Sequence, residues 1–200
     1  MKPLMIDLCA GFGGQSQAFL QGGFDVIRVD NNPLLSEVPN MFIEDVYKIE
    51  PFNISGRGID YIHAGPTCRE FSTAYNAPRS KHHREQPDKP YEPVEGLQLV
   101  KRCKDIIEQL KPRYWSIENV RGSIKFLSPV LGEPRLIVGP YVYWGNFPLF
   151  EFDIADLPSK TNDLDKRHSP LRANHRAECP LALSQAFFDA MTKQHSILEY

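Results

Sequence analysis

Cysteine is scarce in this 200-residue chain, and its four positions, Cys9, Cys68, Cys103 and Cys179, lie far apart. No CxxC pair exists, so neither a zinc motif nor a dithiol redox motif is encoded, and a reduced, cytoplasmic protein is the simplest expectation. Long apolar runs are also missing: nothing reaches the roughly 20 residues that a membrane helix needs. The opening MKPLMIDLCAGFGG breaks at Asp7 and turns glycine-rich, which fits a first β-strand better than a targeting segment. An excess of charge is lacking as well. Lys and Arg total 23 against 25 Asp and Glu, a formal net charge of -2, so no global field draws the chain to a polyanion. Contact with nucleic acid must therefore come from a local basic patch. With no internal repeat and no low-complexity tract, one domain spanning residues 1–200 is the expectation from length.

What is present is an alternation of apolar strands and helical patterns. Residues 3–8 form a short apolar run that ends at Gly11, Gly13 and Gly14, and QSQAFLQ can then start a helix. FDVIRVD reads as a second strand ending at Asp30, stopped by Asn31, Asn32 and Pro33. MFIEDV, IDYIHAG and YWSIENV read as the third to fifth strands. Val94, Leu97, Val100, Ile106, Ile107 and Leu110 fall at near-helical spacing before Lys111-Pro112 ends the run. RLIVGPYVYWG suggests a β-hairpin and ALSQAFFDAMTKQ a closing helix. Residues 66–93, polar and proline-rich, read as a long mobile loop. The whole is an α/β fold with a mostly parallel sheet, in which ligands bind at the carboxyl ends of strands.

Three groups of residues sit at such strand ends. Asp7-Leu-Cys-Ala10-Gly11-Phe12-Gly13-Gly14, with Asp30 closing the next strand, suits a nucleoside-containing cofactor, because glycines permit close approach and a carboxylate can hold ribose hydroxyls. The spacing is not GxGxxG and no P-loop lysine is in place, so a pyrophosphate cofactor has less support; the alternative is a glycine turn that binds nothing. Cys68, in HAGPTCREFS, lies in a loop past a strand, where Arg69 could favour a thiolate nucleophile; the alternative is a small core cysteine. Glu118 ends the fifth strand, where burial would raise its pKa and let it carry a proton; the alternative is a surface carboxylate.

Taken in order, DLCAGFGGQSQAF, GPTCREFS and ENV resemble the cofactor motif, the cysteine-bearing GPPC-x-x-FS motif and the ENV motif of the cytosine-5 DNA methyltransferases, over residues 5–120. The resemblance implies a Rossmann-like S-adenosylmethionine-dependent methyltransferase fold with helices on both faces of the sheet. It implies that Asp7, Ala10, Gly11, Phe12, Gly13, Gly14, Asp30, Asn31, Asp45 and Pro66 line the site for S-adenosyl-L-methionine, with Asp30 on its ribose and Asp45 near its adenine. Cys68 would attack carbon 6 of cytosine while Glu118 serves ring nitrogen 3. The substrate implied is DNA, whose target base must leave the stack. The loop over residues 66–93 would close over that base, with its RSKHHR run meeting phosphate or simply facing solvent.

Several features depart from the family pattern. Thr67 stands where the family has a second proline, a variation that keeps the cysteine in place. The family's Gln-x-Arg-x-Arg strand is represented only by Arg135 in GEPRLIV, which is taken as its catalytic counterpart. A recognition domain has no room, and the closing Gln-x-Gly-Asn motif is absent. Residues 151–180 are expected to be an irregular basic segment in its place, with Lys166, Arg167, His168, Arg172, His175 and Arg176 as a strip for a nucleic-acid backbone or as a solvated connection. Target choice would then be minimal or supplied by a separate specificity subunit. RNA, a free cytosine nucleotide, or a non-catalytic cofactor-binding subunit remain as alternatives. No metal is expected, since adjacent His82 and His83 do not converge on an ion without other ligands.

Overall fold

A computed structural model of the chain describes residues 2–50, 58–158 and 168–197. Five strands, β1 (Leu4–Leu8), β2 (Asp25–Asp30), β3 (Met41–Ile43), β4 (Tyr61–Ala64) and β5 (Tyr114–Val120), run parallel. β6 (Leu136–Val138) and β7 (Tyr141–Asn146) form the hairpin, with β7 antiparallel to β5. The spatial order is β3-β2-β1-β4-β5-β7-β6. The chain therefore reverses its direction of travel across the sheet between β1 and β4, the crevice where open α/β sheets bind ligands.

Both faces of the sheet are covered, as parallel sheets require. Leu4, Ile6 and Leu8 alternate with Met5 and Asp7 along β1, all five buried. The first set packs with Ile62 and Ile117 against Cys103, Ile106 and Ile107 of helix α3 (Val94–Leu110). On the opposite face, Met5, Tyr61 and Tyr143 meet Phe19 of α1 (Gln17–Gln21) and Leu183, Phe187 and Met191 of α6 (Leu181–Ile197). Each such side chain contributes about 1.5–3 kcal/mol by leaving water. α3 stops where Lys111 takes a left-handed conformation, φ 48°, just before Pro112.

Three helices depart from the sequence expectation. α2 (Pro78–Glu85) lies inside the stretch 66–93 read as loop; Pro78 fits its first turn, and its composition carries no apolar stripe to announce it. α4 (Ile124–Leu131) contains Pro129, which reads as a breaker, yet Leu127 packs beneath it with Phe71, Val100, Val142 and Trp144. α5 (Arg172–Ala177) lies within the segment read as irregular; Lys166 and Arg167 of that segment lie outside the described residues. β3 is also shorter than MFIEDV, because Asp45 caps a 3-10 turn at Val46–Lys48. Among the described residues no helix is long and apolar enough to cross a membrane.

Two predictions follow from this packing. Gly145 has φ 148°, and a Cβ there would stand 2.1 Å from the Trp115 carbonyl oxygen on the neighbouring strand. Gly145→Ala is expected to cost about 2 kcal/mol or more, which calorimetry reads as a fall in Tm of roughly 4–8 °C. Asp7 is buried on the α1–α6 face, its Oδ2 has no hydrogen-bond partner, and burial pushes its pKa up to about 7 against the attraction of Ser16 and Arg28. A carboxyl that binds its proton more tightly when folded is stabilising below its ordinary pKa and loses that contribution as pH rises. Stability should fall between about pH 4 and pH 7, by on the order of 4 kcal/mol at most. Asp7→Asn should flatten that part of a Tm-against-pH curve; an unchanged slope would overturn the assignment.

Candidate active site at the carboxyl ends of β1, β4 and β5

The glycine turn leaves β1 through Cys9, whose φ of 55° is left-handed and turns the chain sharply. Its geometry is held from within. The Ala10 N–H donates to the Val29 carbonyl on β2 (3.0 Å), and the Gly13 N–H donates to the Ala10 carbonyl (2.8 Å). Asp30 accepts from the Gly11 N–H at Oδ2 (2.9 Å) and from the Asn32 N–H at Oδ1 (3.0 Å), with Asn31 exposed between them. Beneath the turn lies Arg28, a buried cation. Its guanidinium donates to Ser16 Oγ (2.9 Å), to the Pro39 and Gly13 carbonyls (3.0 and 3.3 Å) and to Gln17 Oε1 (3.1 Å).

The glycines are there for different reasons. A Cβ on Gly13 would stand 2.2 Å from Arg28 Nε, and one on Gly14 would stand 2.5 Å from the Cys179 carbonyl oxygen. Gly11 alone of the three meets only an ordinary contact, Asn174 Nδ2 at 3.6 Å. Two of the three motif glycines thus answer to the protein's own packing, and Gly11 is the one with space for a ligand.

Cys68 sits on the next turn across the switch point. Gly65 leaves β4 with its N–H on the Leu8 carbonyl (3.0 Å), which fixes this loop against the glycine turn. The Cys68 carbonyl then accepts from the Phe71 and Ser72 N–H groups (3.0 and 2.9 Å), closing a helical turn that carries the thiol. Across the crevice β5 supplies Glu118 and Asn119, and Asn119 Nδ2 donates to the Pro66 carbonyl (3.0 Å). Burial raises the Glu118 pKa to about 8, so its carboxyl is protonated at neutral pH. Burial also raises the Cys68 thiol, reinforced by nearby Glu118, while its own backbone N–H and Arg176 act the other way. An acid kept neutral beside a thiol can donate a hydrogen bond or a proton to a bound ring as the sulfur attacks it.

Helix α5 closes the crevice from above. His175 stacks on Phe12 with centroids 4.4 Å apart, Asn174 reaches Gly11, and Arg176 faces Cys68 closely enough to favour its thiolate. Phe12, Leu34, Val38, Leu171 and His175 help line a cavity of about 580 Å³ beside the turn. A carboxylate with lone pairs to spare on Asp30 and the open Gly11 fit the nucleoside of S-adenosylmethionine; the cavity lies alongside, with neither residue in its lining. Asp45 lies on the outer flank of this region, beyond β3, where its Oδ1 accepts from the Tyr47 N–H (3.0 Å). Asp7 lies within β1, inside the sheet and off the crevice wall.

Arg135 is engaged within the hairpin. Its Nε donates to the Phe147 carbonyl (2.7 Å), its N–H to the Tyr143 carbonyl (2.8 Å), and its guanidinium stacks on Phe147. Its backbone precedes Leu136, whose partner Tyr143 pairs with Glu118, but its guanidinium is turned toward the amino end of β5, where Phe147 follows Asn146, the partner of Trp115. The residues that the sequence reading left out of the site are Asn119, Arg79 and Asn174. Asn119 stood within ENV; Arg79 and Asn174 carried no signal, since α2 and α5 themselves were unforeseen.

The family model for C-5 cytosine-specific DNA methylases matches residues 4–126. The type II methyltransferase M.XorII of Xanthomonas oryzae pv. oryzae is 30% identical over 139 residues, 60% of this chain and 29% of that protein. M.HgiGI of Herpetosiphon aurantiacus is 32% identical over 78 residues, 34% of this chain and 62% of that one. The chain thus spans less than two thirds of the length of either relative. Among solved structures, the S. pombe Dnmt2 methyltransferase covers 78% of this chain and 53% of its own, at 15% identity and a TM-score of 0.45. With the family model matching more than half of its residues and the three motifs meeting in one crevice, the chain belongs to the C-5 cytosine-specific DNA methylase family.

Proposed function

We propose that the protein transfers a methyl group from S-adenosylmethionine, the cofactor of its family, to carbon 5 of cytosine in DNA through a covalent adduct at Cys68. The observation that carries this reading is that Cys68 and Glu118, a half-buried carboxyl whose pKa burial raises to about 8, share one crevice beside the glycine turn. When bound, S-adenosylmethionine supplies an electrophilic methyl group. Gly11 and Asp30 would hold its nucleoside, with Asn31, Asp45, Phe12 and Pro66 nearby as further walls.

The chain's residues divide the chemistry. Cys68, as thiolate, adds to carbon 6 of the ring, and Glu118 donates its proton to nitrogen 3 so that negative charge does not build on the ring. Carbon 5 becomes nucleophilic and takes the methyl. A water molecule takes the carbon 5 proton, the electron pair left behind forms the carbon 5–carbon 6 double bond and expels the Cys68 thiolate, and the nitrogen 3 proton returns to Glu118. Arg176 supports the thiolate electrostatically in an otherwise dry site. On the outer face of α2, Lys81, His83 and Arg84 are exposed, with Arg84 stacked on exposed Tyr75 at 4.1 Å, a cationic surface suited to a phosphate backbone beside the crevice.

Long duplex DNA copied with 5-fluorodeoxycytidine triphosphate presents every sequence context and cannot release fluorine as a proton. In the presence of S-adenosylmethionine the protein should become trapped as a denaturant-resistant adduct, and Cys68→Ala should form none. Absence of adduct with the native chain, despite cofactor binding, would sink this reading. For Glu118 the sign is set by its protonated form being the active one. Because the Cys68 thiol is raised above its ordinary value and so above Glu118, the thiolate gained with pH offsets the Glu118 proton lost, and kcat/KM should climb up to about pH 8 and level off there; Glu118→Gln should lower the rate by roughly 10²–10⁴-fold and remove the levelling near 8.

A further inference from the structure

Cys68 is bracketed by two ties to the far side of the crevice. Two residues before it, the Pro66 carbonyl is held by Asn119. Three residues after it, the Phe71 carbonyl is met by Arg79 of α2, whose Nη1 donates to Phe71 (3.3 Å) and to the Gly122 carbonyl (2.8 Å). Gly122 belongs to the turn Arg121–Ser123 that directly follows β5, four residues beyond Glu118. The two backbones nearly touch: a Cβ on Gly122 would stand 2.4 Å from the Phe71 oxygen and 3.1 Å from Arg79 Nη1. Phe71 itself is fully buried, and the Arg79 guanidinium lies 5.4 Å from the Phe126 ring of α4.

Two carbonyl oxygens that converge on one nitrogen repel each other, and the cation between them turns that repulsion into two charge-assisted hydrogen bonds. The remaining cations of α2 point outward, so Arg79 is the one that the helix turns inward onto the loop. Its placement links the turn that carries the thiol to the turn that follows the carboxyl. Misplacement of reacting groups by about 1 Å costs on the order of 100-fold in rate.

We infer that Arg79 is a positioning residue for methyl transfer: by bridging the Phe71 and Gly122 carbonyls it fixes Cys68 against Glu118. The inference rests on the proposed activity, and α2 with its Arg79 is a device for registering two loops, separate from any phosphate contact made by the exposed cations. Because a single nitrogen makes both contacts, a lysine ammonium can reproduce them and a methionine cannot. Gly122→Ala would pry the same joint apart from the other side.

The test measures adduct formation on 5-fluorocytosine duplex DNA together with the KM for S-adenosylmethionine. Arg79→Met should slow adduct formation by ~10- to 100-fold with the cofactor KM within about twofold of native, since the glycine turn is anchored separately by Arg28. Arg79→Lys should recover most of the rate, Gly122→Ala should reproduce the loss, and the double variant should fall well short of the product of the two. Independently of substrate, hydrogen exchange at the Phe71 and Ser72 amides should quicken in Arg79→Met while β1, β4 and β5 stay protected. Native adduct rates in Arg79→Met, no rescue by Arg79→Lys, or a cofactor KM that rises in step with the lost rate would overturn the inference. If Arg79→Met does not fold, Gly122→Ala with exchange at the same amides decides it. If the native protein forms no adduct, the proposed activity fails, and the exchange measurement still judges the latch.

Discussion

Hydrogen bonding between β4 and β5 in one parallel register is the constraint on which the site depends. His63 pairs with Ser116 and Ala64 with Ile117, so β4 ends level with the residue before Glu118. Gly65 then leaves the sheet toward β1 while β5 runs on, and the two chains diverge around a crevice. A slip of one residue would turn Glu118 to the opposite face and bury the wrong set of side chains. The register is secured by buried hydrogen bonds: Ser116 Oγ lies 2.6 Å from the Tyr61 hydroxyl and 2.8 Å from His63 Nδ1. His63, buried and pushed down to a pKa of about 3, is neutral and adds no charge beneath the thiol.

A second constraint works at β1. Burying an arginine is costly unless its donors are met, and Arg28 meets them with two carbonyls, a hydroxyl and an amide, aided by the nearby Asp7. The same cation occupies the space where a Gly13 side chain would be, so the turn and its anchor specify one another. The glycine turn and the loop that carries Cys68 are consequently braced by different arginines, Arg28 on one side and Arg79 on the other.

The crevice favours neutral forms. The Glu118 carboxyl and the Cys68 thiol are both raised by burial, and the charges that do reach Cys68 are a carboxyl that can shed its charge and the Arg176 cation brought by α5. In so dry a setting one added or removed charge shifts a pKa far more than it would in water. The segment that carries Arg176, reached from the far end of the chain, therefore bears on the reactivity of a residue more than 100 positions earlier.

The sequence by itself determined the strand–turn–helix opening and the parallel β core with its hairpin, and it singled out Cys68, Glu118, Gly11 and Asp30 as candidates at strand ends. Those follow from local physics: apolar periodicity, glycine at sharp turns, and polar residues placed where strands end. Tertiary structure alone decided the rest. Where the Arg135 guanidinium goes could not be read from spacing, because only the folded hairpin brings the Phe147 carbonyl to it. α2 has no apolar stripe and α4 contains a proline, so nothing local forecast that Arg79 would bridge two carbonyls 51 positions apart (71 and 122) or that Leu127 would join the core. Nor could a glycine motif reveal that Gly13 answers to Arg28 while Gly11 stays open. Such contacts depend on which backbones the sheet order brings together, and that order is a property of the whole fold.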